Sequence, residues 1–517
     1  MLLILQPFIV MFQATIVRDV QLFGLSIFEG FNIIVACASV CLTVYTHPEK
    51  KVFIKYAPYV FALGAYLLLH GYHIYQFNVE VYSAQTPNFL VETYYIFRTF
   101  IVPLLLIFNI YYSKIKKEQI FRILEILILI ITSVMVVTNL FCVAQRNYSE
   151  ITLYNTLSLF DWFSFNNSSE FSYYELTTKG WFLSGNEMSA SLFMTFPVVL
   201  YRAYKKRDKF HYLLVVLQMM AMFMLGTKVA NVGCLLIVVA FVVCWFIFKI
   251  LKHKEKGILV ILAISVGFAV LFPFSPVGYK IRYEKQTQNV SSSDNELMID
   301  NALKIEIEDE TEMDEELIEL YKNLKRDSVI FKKLNPEEMS KEEKVFVRKY
   351  MADYCSYFGI SPFITEHYND LEHSVFWAKY IQQTPNNNYR VLKTMILRDI
   401  YANNNNPLDK YFGMGYTLNY IYTESDYTYQ FYNYGIIGIA VLVVPYFCML
   451  LYVIVQGLRH FKQMFTLECA MYAIAPLLGL LVGKFSGHVL ERPFPLLVLG
   501  MLMGIILLYT RDSIKKL

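Results

Sequence analysis

About twelve stretches of this chain hold close to 20 mostly apolar residues, the length that crosses the hydrocarbon core of a bilayer, and no other feature narrows the fold as far. They lie near 1–17, 24–45, 54–75, 92–113, 121–143, 181–201, 210–226, 229–248, 257–275, 429–456, 467–487 and 494–510. The first is short, and 210–226 runs almost directly into 229–248. Composition points the same way. Of 517 residues, 56% are hydrophobic and only 17% charged, with a mean hydropathy of +0.40. So few charges could not cover so much apolar surface in water. The expected fold class is an all-α polytopic membrane protein.

The connections between these runs alternate in charge. One set carries Lys50, Lys51 and Lys55, then Lys114, Lys116, Lys117 and Arg122, then Arg202, Lys205, Lys206, Arg207 and Lys209. Lys249, Lys252, Lys254 and Lys256 follow, then Arg459 and Lys462, and finally Arg511, Lys515 and Lys516. Of the short connections in the other set, 76–91 has no Lys or Arg and 144–180 has only Arg146 and Lys179. Basic loops stay in the cytoplasm, so both termini are expected there, with twelve spans between them. The N-terminal "MLLILQPFIVMFQ" has no basic region before it and no small-residue cleavage site after it, and is expected to be a retained first span.

The chain is thus expected to divide at 1–275 (helices 1–9), 276–428 (one large extracellular loop) and 429–517 (helices 10–12). Within the loop, 284–345 is acidic ("KIEIEDETEMDEELIEL") and reads as an insertion with a solvated face. Residues 351–416 carry aromatic and apolar residues at helical spacing and read as a helical cap. The net charge of +3 leaves no nucleic-acid footprint. The eight cysteines show neither a disulfide framework nor a CxxC pair.

Charges at membrane depth cost several kcal/mol, so each one calls for an account. Lys228, in the short turn "GTKVANVG", is either an interfacial anchor or a ligand for a lipid diphosphate. Arg98, in "YYIFRTFIVPLLL", needs an acidic or phosphate partner. Arg390, in "YRVLK", is on the outer segment, where exposure alone accounts for an arginine. Asn186 opens a span in "GWFLSGNEMSASLFMTFPVV", as helix packing or as the lining of a cavity. His488 lies in "GKFSGHVLERPFP", flanked by Gly487, Lys484, Glu491 and Arg492. Glu424 and Asp426 stand at the mouth of the tenth span, where one carboxylate suits helix capping and two exceed it. Cations and candidate bases on one face suit a substrate with a diphosphate and a hydroxyl to be deprotonated.

Three motifs, in order, resemble the O-antigen polymerase and O-antigen ligase superfamily. They are "GWFLSGNEMSASLFMTFPV", "GTKVANVG", and the large penultimate outer loop with "YRVLK", "GMGY" and "ESDYTYQFYNYGIIG". The resemblance covers most of the chain in layout and few residues in identity. Many relatives have arginine where Lys228 stands, and ligase relatives have a histidine near the span start that here reads Glu424-Ser425-Asp426. These departures lean toward the polymerase branch, with capsule or exopolysaccharide members closest in type. The resemblance implies a GT-C-like fold in the cytoplasmic membrane and a metal-independent, inverting glycosyl transfer on its outer face, with no cofactor. The substrates implied are undecaprenyl-diphosphate-linked oligosaccharides. A flippase and a chain-length regulator would be pathway partners. Lys228, Arg390 and Arg98 would hold the diphosphate, Glu424, Asp426 or His488 would be the base, and Asn186 and Tyr416 would position sugars. The alternatives are transfer of finished glycan to another acceptor, as in a ligase, and a lipid-linked oligosaccharide flippase. The latter is disfavoured because no internal repeat is seen and the charges cluster outside the midplane.

Overall fold

The apolar runs become helices because only a helix satisfies its own backbone where water is absent. A computed structural model of the chain describes residues 2–15, 21–22, 25–76, 87–147, 152–153, 157–165, 173–250, 258–282, 335–341, 343–345, 347–348, 373–383, 389–415, 422–423 and 425–515. The first half comprises α1 (Leu2–Gln13), α2 (Ile27–Thr46), α3 (Ala57–His73), α4 (Phe89–Ile96), α5 (Val102–Tyr112), α6 (Lys117–Leu140), α7 (Gly185–Lys206), α8 (Lys209–Met224), α9 (Lys228–Ile250) and α10 (Leu259–Leu271). After the large loop come α11 (Ser374–Gln383), α12 (Tyr389–Asn404), α13 (Asp409–Phe412), α14 (Asp426–Leu442), α15 (Val444–Arg459), α16 (Leu467–Phe485) and α17 (Pro493–Ile514). A two-residue antiparallel pair, Gln21–Leu22 with Leu25–Ser26, joins α1 to α2.

Among the described residues, eight helical segments are long and apolar enough to cross a membrane, or nine if the bent pair Leu259–Phe274 and Pro276–Arg282 is one span. The three remaining runs expected to span are α1, α7 and α8. Helices α1 and α8 have only 12 and 16 residues. Helix α7 has 22 residues, with Glu187, Ser189, Ser191, Thr195 and Arg202 all buried within the protein. Its polar groups face neighbouring helices, so apolar length underestimates it. The acidic insertion at 284–345 lies outside the described residues except for its last few positions, and so does most of the expected cap before residue 373.

Helix α17 is the centre of the bundle: 94% of its apolar window is buried, against 6% for the span that contains α3. Gly500 and Gly504 let its backbone approach α5, where a Cβ on Gly504 would come within 2.8 Å of Ile110. Small residues four apart allow this close packing. Helix ends carry the expected caps. The Asn88 side chain accepts from the amides of Leu90 and Val91 to open α4, and Ser184 accepts from Glu187 to open α7.

Helix α14 is broken. Gly435 has φ 65° and ψ −175° inside it, a conformation that side-chain-bearing residues avoid. The "GMG" turn enters the break, with Met414 N donating to Tyr432 O at 2.8 Å and Gly415 N to Asn433 O at 2.9 Å. Carbonyls freed by the kink are thus satisfied by the loop. Helix α13 is tied to α3 by His73 Nε2 on Asp409 at 2.7 Å and by His70 Nδ1 on Phe412 O at 2.6 Å.

Candidate functional site

Six helix ends converge at one end of the bundle: the C-terminal ends of α1 and α4 and the N-terminal parts of α2, α7, α14 and α17. They enclose a cavity of about 250 Å³ whose wall includes Gln13, Glu29, Tyr95, Arg98, Glu187, Tyr422, Tyr429, Glu491 and Arg492. Arg98 sits in a π-helical turn, Phe97–Ile101, between α4 and α5, a widened turn common at functional sites. Its guanidinium pairs with Glu29, which also accepts from Gln13 and, at 2.8 Å, from the Tyr94 hydroxyl. The Arg98 fork lies over the Tyr95 ring, 4.9 Å from its centroid.

Across the cavity, Arg492 pairs with Glu491 and reaches Glu187 at 3.5 Å. Glu491 also contacts His488 Nδ1 at 3.1 Å. Burial alone would push the Glu491 carboxyl up, but the Arg492 guanidinium and His488 together hold it below the usual carboxylate range. Burial pushes the Tyr422 hydroxyl well up, helped by the nearby Asp426 and Glu491 carboxylates, so it remains a donor.

Asp426 is fully buried and accepts four hydrogen bonds. Its Oδ1 takes the His488 amide at 2.8 Å and the Tyr422 hydroxyl at 2.8 Å, and its Oδ2 takes the amides of Val489 at 2.9 Å and Leu490 at 2.7 Å. The 488–490 turn is therefore wrapped around one carboxylate. This segment needs an outside anchor because Gly487 and His488 are both left-handed, at φ 68° and 65°.

Of the residues expected from sequence, Arg98 lines the cavity, and Asp426 and His488 meet beside it. Asn186 stands next to Glu187 in the first turn of α7. Arg390 is exposed and donates to Phe485 O at 3.3 Å, at the end of α16 and three residues before His488. Lys228 is exposed at the start of α9. The preceding Thr227 bonds Ser189 at 2.7 Å, which brings Lys228 to the same end of the bundle as the cavity. Lys228, Arg390, Asn186, Asp426 and His488 are not among the wall residues. Glu424 and Tyr416 lie outside the described residues. Expectation did not include Glu29 or Glu187, nor did it give Glu491 and Arg492 a role. Glu29 and Glu187 are carboxylates within apolar runs, and that rarity is the signal that marks them. Among the described residues, no group of three or more His, Cys, Asp or Glu side chains is placed to hold a metal ion.

Apolar helices around an end-on cavity lined by paired charges define a multi-pass membrane protein with a polar site at one end of its helical bundle. Residues 1–513 match the family described as O-antigen ligase like membrane protein. The chain belongs to that family, within the O-antigen ligase and polymerase superfamily, a glycosyltransferase-like class. No curated protein and no solved structure matches it.

Proposed function

We propose that this protein polymerises a polysaccharide of the capsule or exopolysaccharide type by joining undecaprenyl-diphosphate-linked repeat units on the outer face of the cytoplasmic membrane. In this reading twelve spans cross the membrane, both termini are cytoplasmic and the 276–428 loop is outside. The carrying observation is the end-on cavity, whose wall holds two guanidiniums and buried carboxylates at one end of a bundle of apolar helices, with the His488 imidazole beside it on Glu491. A lipid-linked substrate can keep its chain in the bilayer while its diphosphate and sugars reach such a site.

The chemistry assigns the roles. The acceptor hydroxyl oxygen bonds to the anomeric carbon of the donor from the face opposite the diphosphate. The anomeric C–O bond breaks, and its electron pair leaves on a phosphate oxygen. Arg98, with Lys228 and Arg390 approaching from the rim, stabilises that charge, and fixed cations in a partly dehydrated site do so without reorganising. Glu424, Asp426 and His488 are the candidates to take the hydroxyl proton. Asn186 and Tyr416 position sugars.

The family description favours a second acceptor class, in which finished glycan is transferred once to a different molecule. Purified full-length protein with lipid-linked repeat units of its native pathway separates the readings on a gel. A ladder of products supports the polymerase. A single transfer to an added non-repeat acceptor, with no ladder, replaces it by the ligase. Movement of intact lipid-linked repeats across liposomes, with no new glycosidic bond, overturns both in favour of a transporter.

A further inference from the structure

We infer that His488 is the general base of this site, with Glu491 as the carboxylate that orients its ring and Asp426 as the clamp that holds its backbone. This deepens the transferase reading above and rests on it.

The first argument is tautomeric. Neutral imidazole has one donor nitrogen and one acceptor nitrogen. His488 Nδ1 contacts Glu491 Oε1 at 3.1 Å. Glu491 is held in its ionised form by Arg492 and His488, and an ionised carboxylate only accepts. Nδ1 must therefore carry the proton, and the lone pair is on Nε2. Among the described residues no hydrogen bond occupies Nε2, and the side chain keeps 12% of its surface accessible. A carboxylate on one ring nitrogen and an open lone pair on the other is the arrangement a general base needs.

The second argument is positional. The His488 ring lies 4.7 Å from that of Tyr422, centroid to centroid. His488 is not itself a wall residue, but Tyr422 and Glu491, its two side-chain neighbours, both line the cavity. The charged and titratable groups around it are Glu491, Arg492, Asp426 and Tyr422, with Glu187 beyond Arg492.

The third argument removes the competitor. Asp426 is fully buried, and both its oxygens are engaged by four donors. Taking a proton from a sugar would cost it bonds to the amides of residues 488–490. Its geometry is that of an anchor, and what it anchors is the left-handed residue that carries the imidazole.

In the step that follows, His488 Nε2 takes the proton of the acceptor hydroxyl as that oxygen bonds to the anomeric carbon. The C–O bond to the diphosphate breaks, and the electron pair leaves with the phosphate. The imidazolium, stabilised by Glu491, then releases its proton to water through the open Nε2 and returns to the neutral tautomer.

The test uses full-length protein in detergent with native lipid-linked repeat units, and follows rate against pH together with thermal unfolding. Asn tolerates the left-handed region, so H488N should unfold at the wild-type temperature while transfer falls about 100-fold or more. Added imidazole should restore part of the rate of H488G, which no structural role would produce. E491Q should lower kcat while leaving KM near the wild-type value, because the ring loses the partner that fixes its tautomer and orientation. The inference is overturned if H488N and H488G keep the wild-type rate. It is equally overturned if they lose activity together with thermal stability and imidazole restores nothing. A wild type that transfers alongside active His488 variants removes only this assignment. A wild type that forms no glycosidic bond removes the transferase reading and this assignment with it.

Discussion

The two ends of the helical bundle hold the same kinds of side chain in opposite states. At the end away from the cavity, Arg202 is buried among α6, α7 and α8. Its Nε donates to Glu125 at 2.8 Å, and its two terminal nitrogens fork onto Glu118 at 3.0 and 2.8 Å. The guanidinium carbon lies 4.6 Å from the centroid of the Phe121 ring. Lys206 joins Glu118 at 2.7 Å, and His211 bridges Asp208 and Glu125 at 2.8 and 3.2 Å. Arginine, glutamate and histidine here form a filled staple. At the cavity end, Arg98 with Glu29 and Arg492 with Glu491 and Glu187 are also paired, but they edge a space of about 250 Å³. The residue types do not separate a staple from a site. Open volume beside the paired charges does, together with a ring nitrogen that pairing leaves unoccupied.

That contrast can be broken by matched substitutions. R202A takes the shared guanidinium from Glu118 and the buried Glu125, leaving them Lys206 and His211, and removing one partner of a buried ion pair costs about 3–5 kcal/mol. A large fall in unfolding temperature is expected, with the rate per folded molecule unchanged. R98A should act the other way round in emphasis, lowering the transfer rate about 100-fold or more, as loss of one fixed charge-stabilising donor does. Arg98 pairs with one carboxylate where Arg202 holds two, and Glu29 keeps Gln13 and Tyr94 as partners, so the stability loss should be smaller than for R202A. Equal effects of the two variants on rate would erase the distinction between the ends.

A smaller effect is expected at the helix break. A Cβ on Gly435 would come within 2.4 Å of the Tyr411 carbonyl carbon, and its φ is 65°. G435A should therefore cost about 1–3 kcal/mol, read as a lower unfolding temperature, and should loosen α13 from α14. Proteolysis within 405–415 is a direct measure.

The response to acid sharpens the comparison further. The folded value of Glu491 lies below its ordinary 4.5. Its contribution to stability is therefore fully present above pH 4.5 and is lost as pH falls through the depressed folded value. Unfolding temperature should drop less steeply with acid in E491Q than in wild type, and an unchanged acid slope would show that Glu491 is not held ionised. The smallest effect belongs to Lys117 and Glu468, paired at 2.9 Å with side chains 30% and 26% exposed. E468Q should shift stability by about 0–1 kcal/mol and leave transfer unchanged.

Much of this was legible in the sequence for a physical reason. A bilayer imposes a rule on each segment separately: hold about 20 apolar residues and satisfy the backbone locally. The helical class, the presence of several helices long and apolar enough to cross a membrane and the rarity of charges such as Arg98 follow from the local pattern alone. Asp426 and His488 stand out because each is polar beside an apolar run. Their relationship does not, since the bonds between Asp426 and the 488–490 turn join positions more than 60 residues apart. Nor does the pairing of Arg98 with Glu29, 69 residues away. Nor does the local pattern record that the polar residues of α7 are buried against other helices.

Sequence by itself determined that the chain is a bundle of membrane helices with charges gathered at their ends, because lipid judges every residue by its own polarity. Tertiary structure alone decided which of those charges close a staple and which line a cavity. It placed Lys228 and Arg390 outside the wall while drawing Glu29, Glu187, Glu491 and Arg492 into it. It also decided that the carboxylate of Asp426 is spent on a turn and that the imidazole of His488 is left with an open nitrogen. A hydrogen bond depends on two partners meeting in space, and no local pattern records the partner.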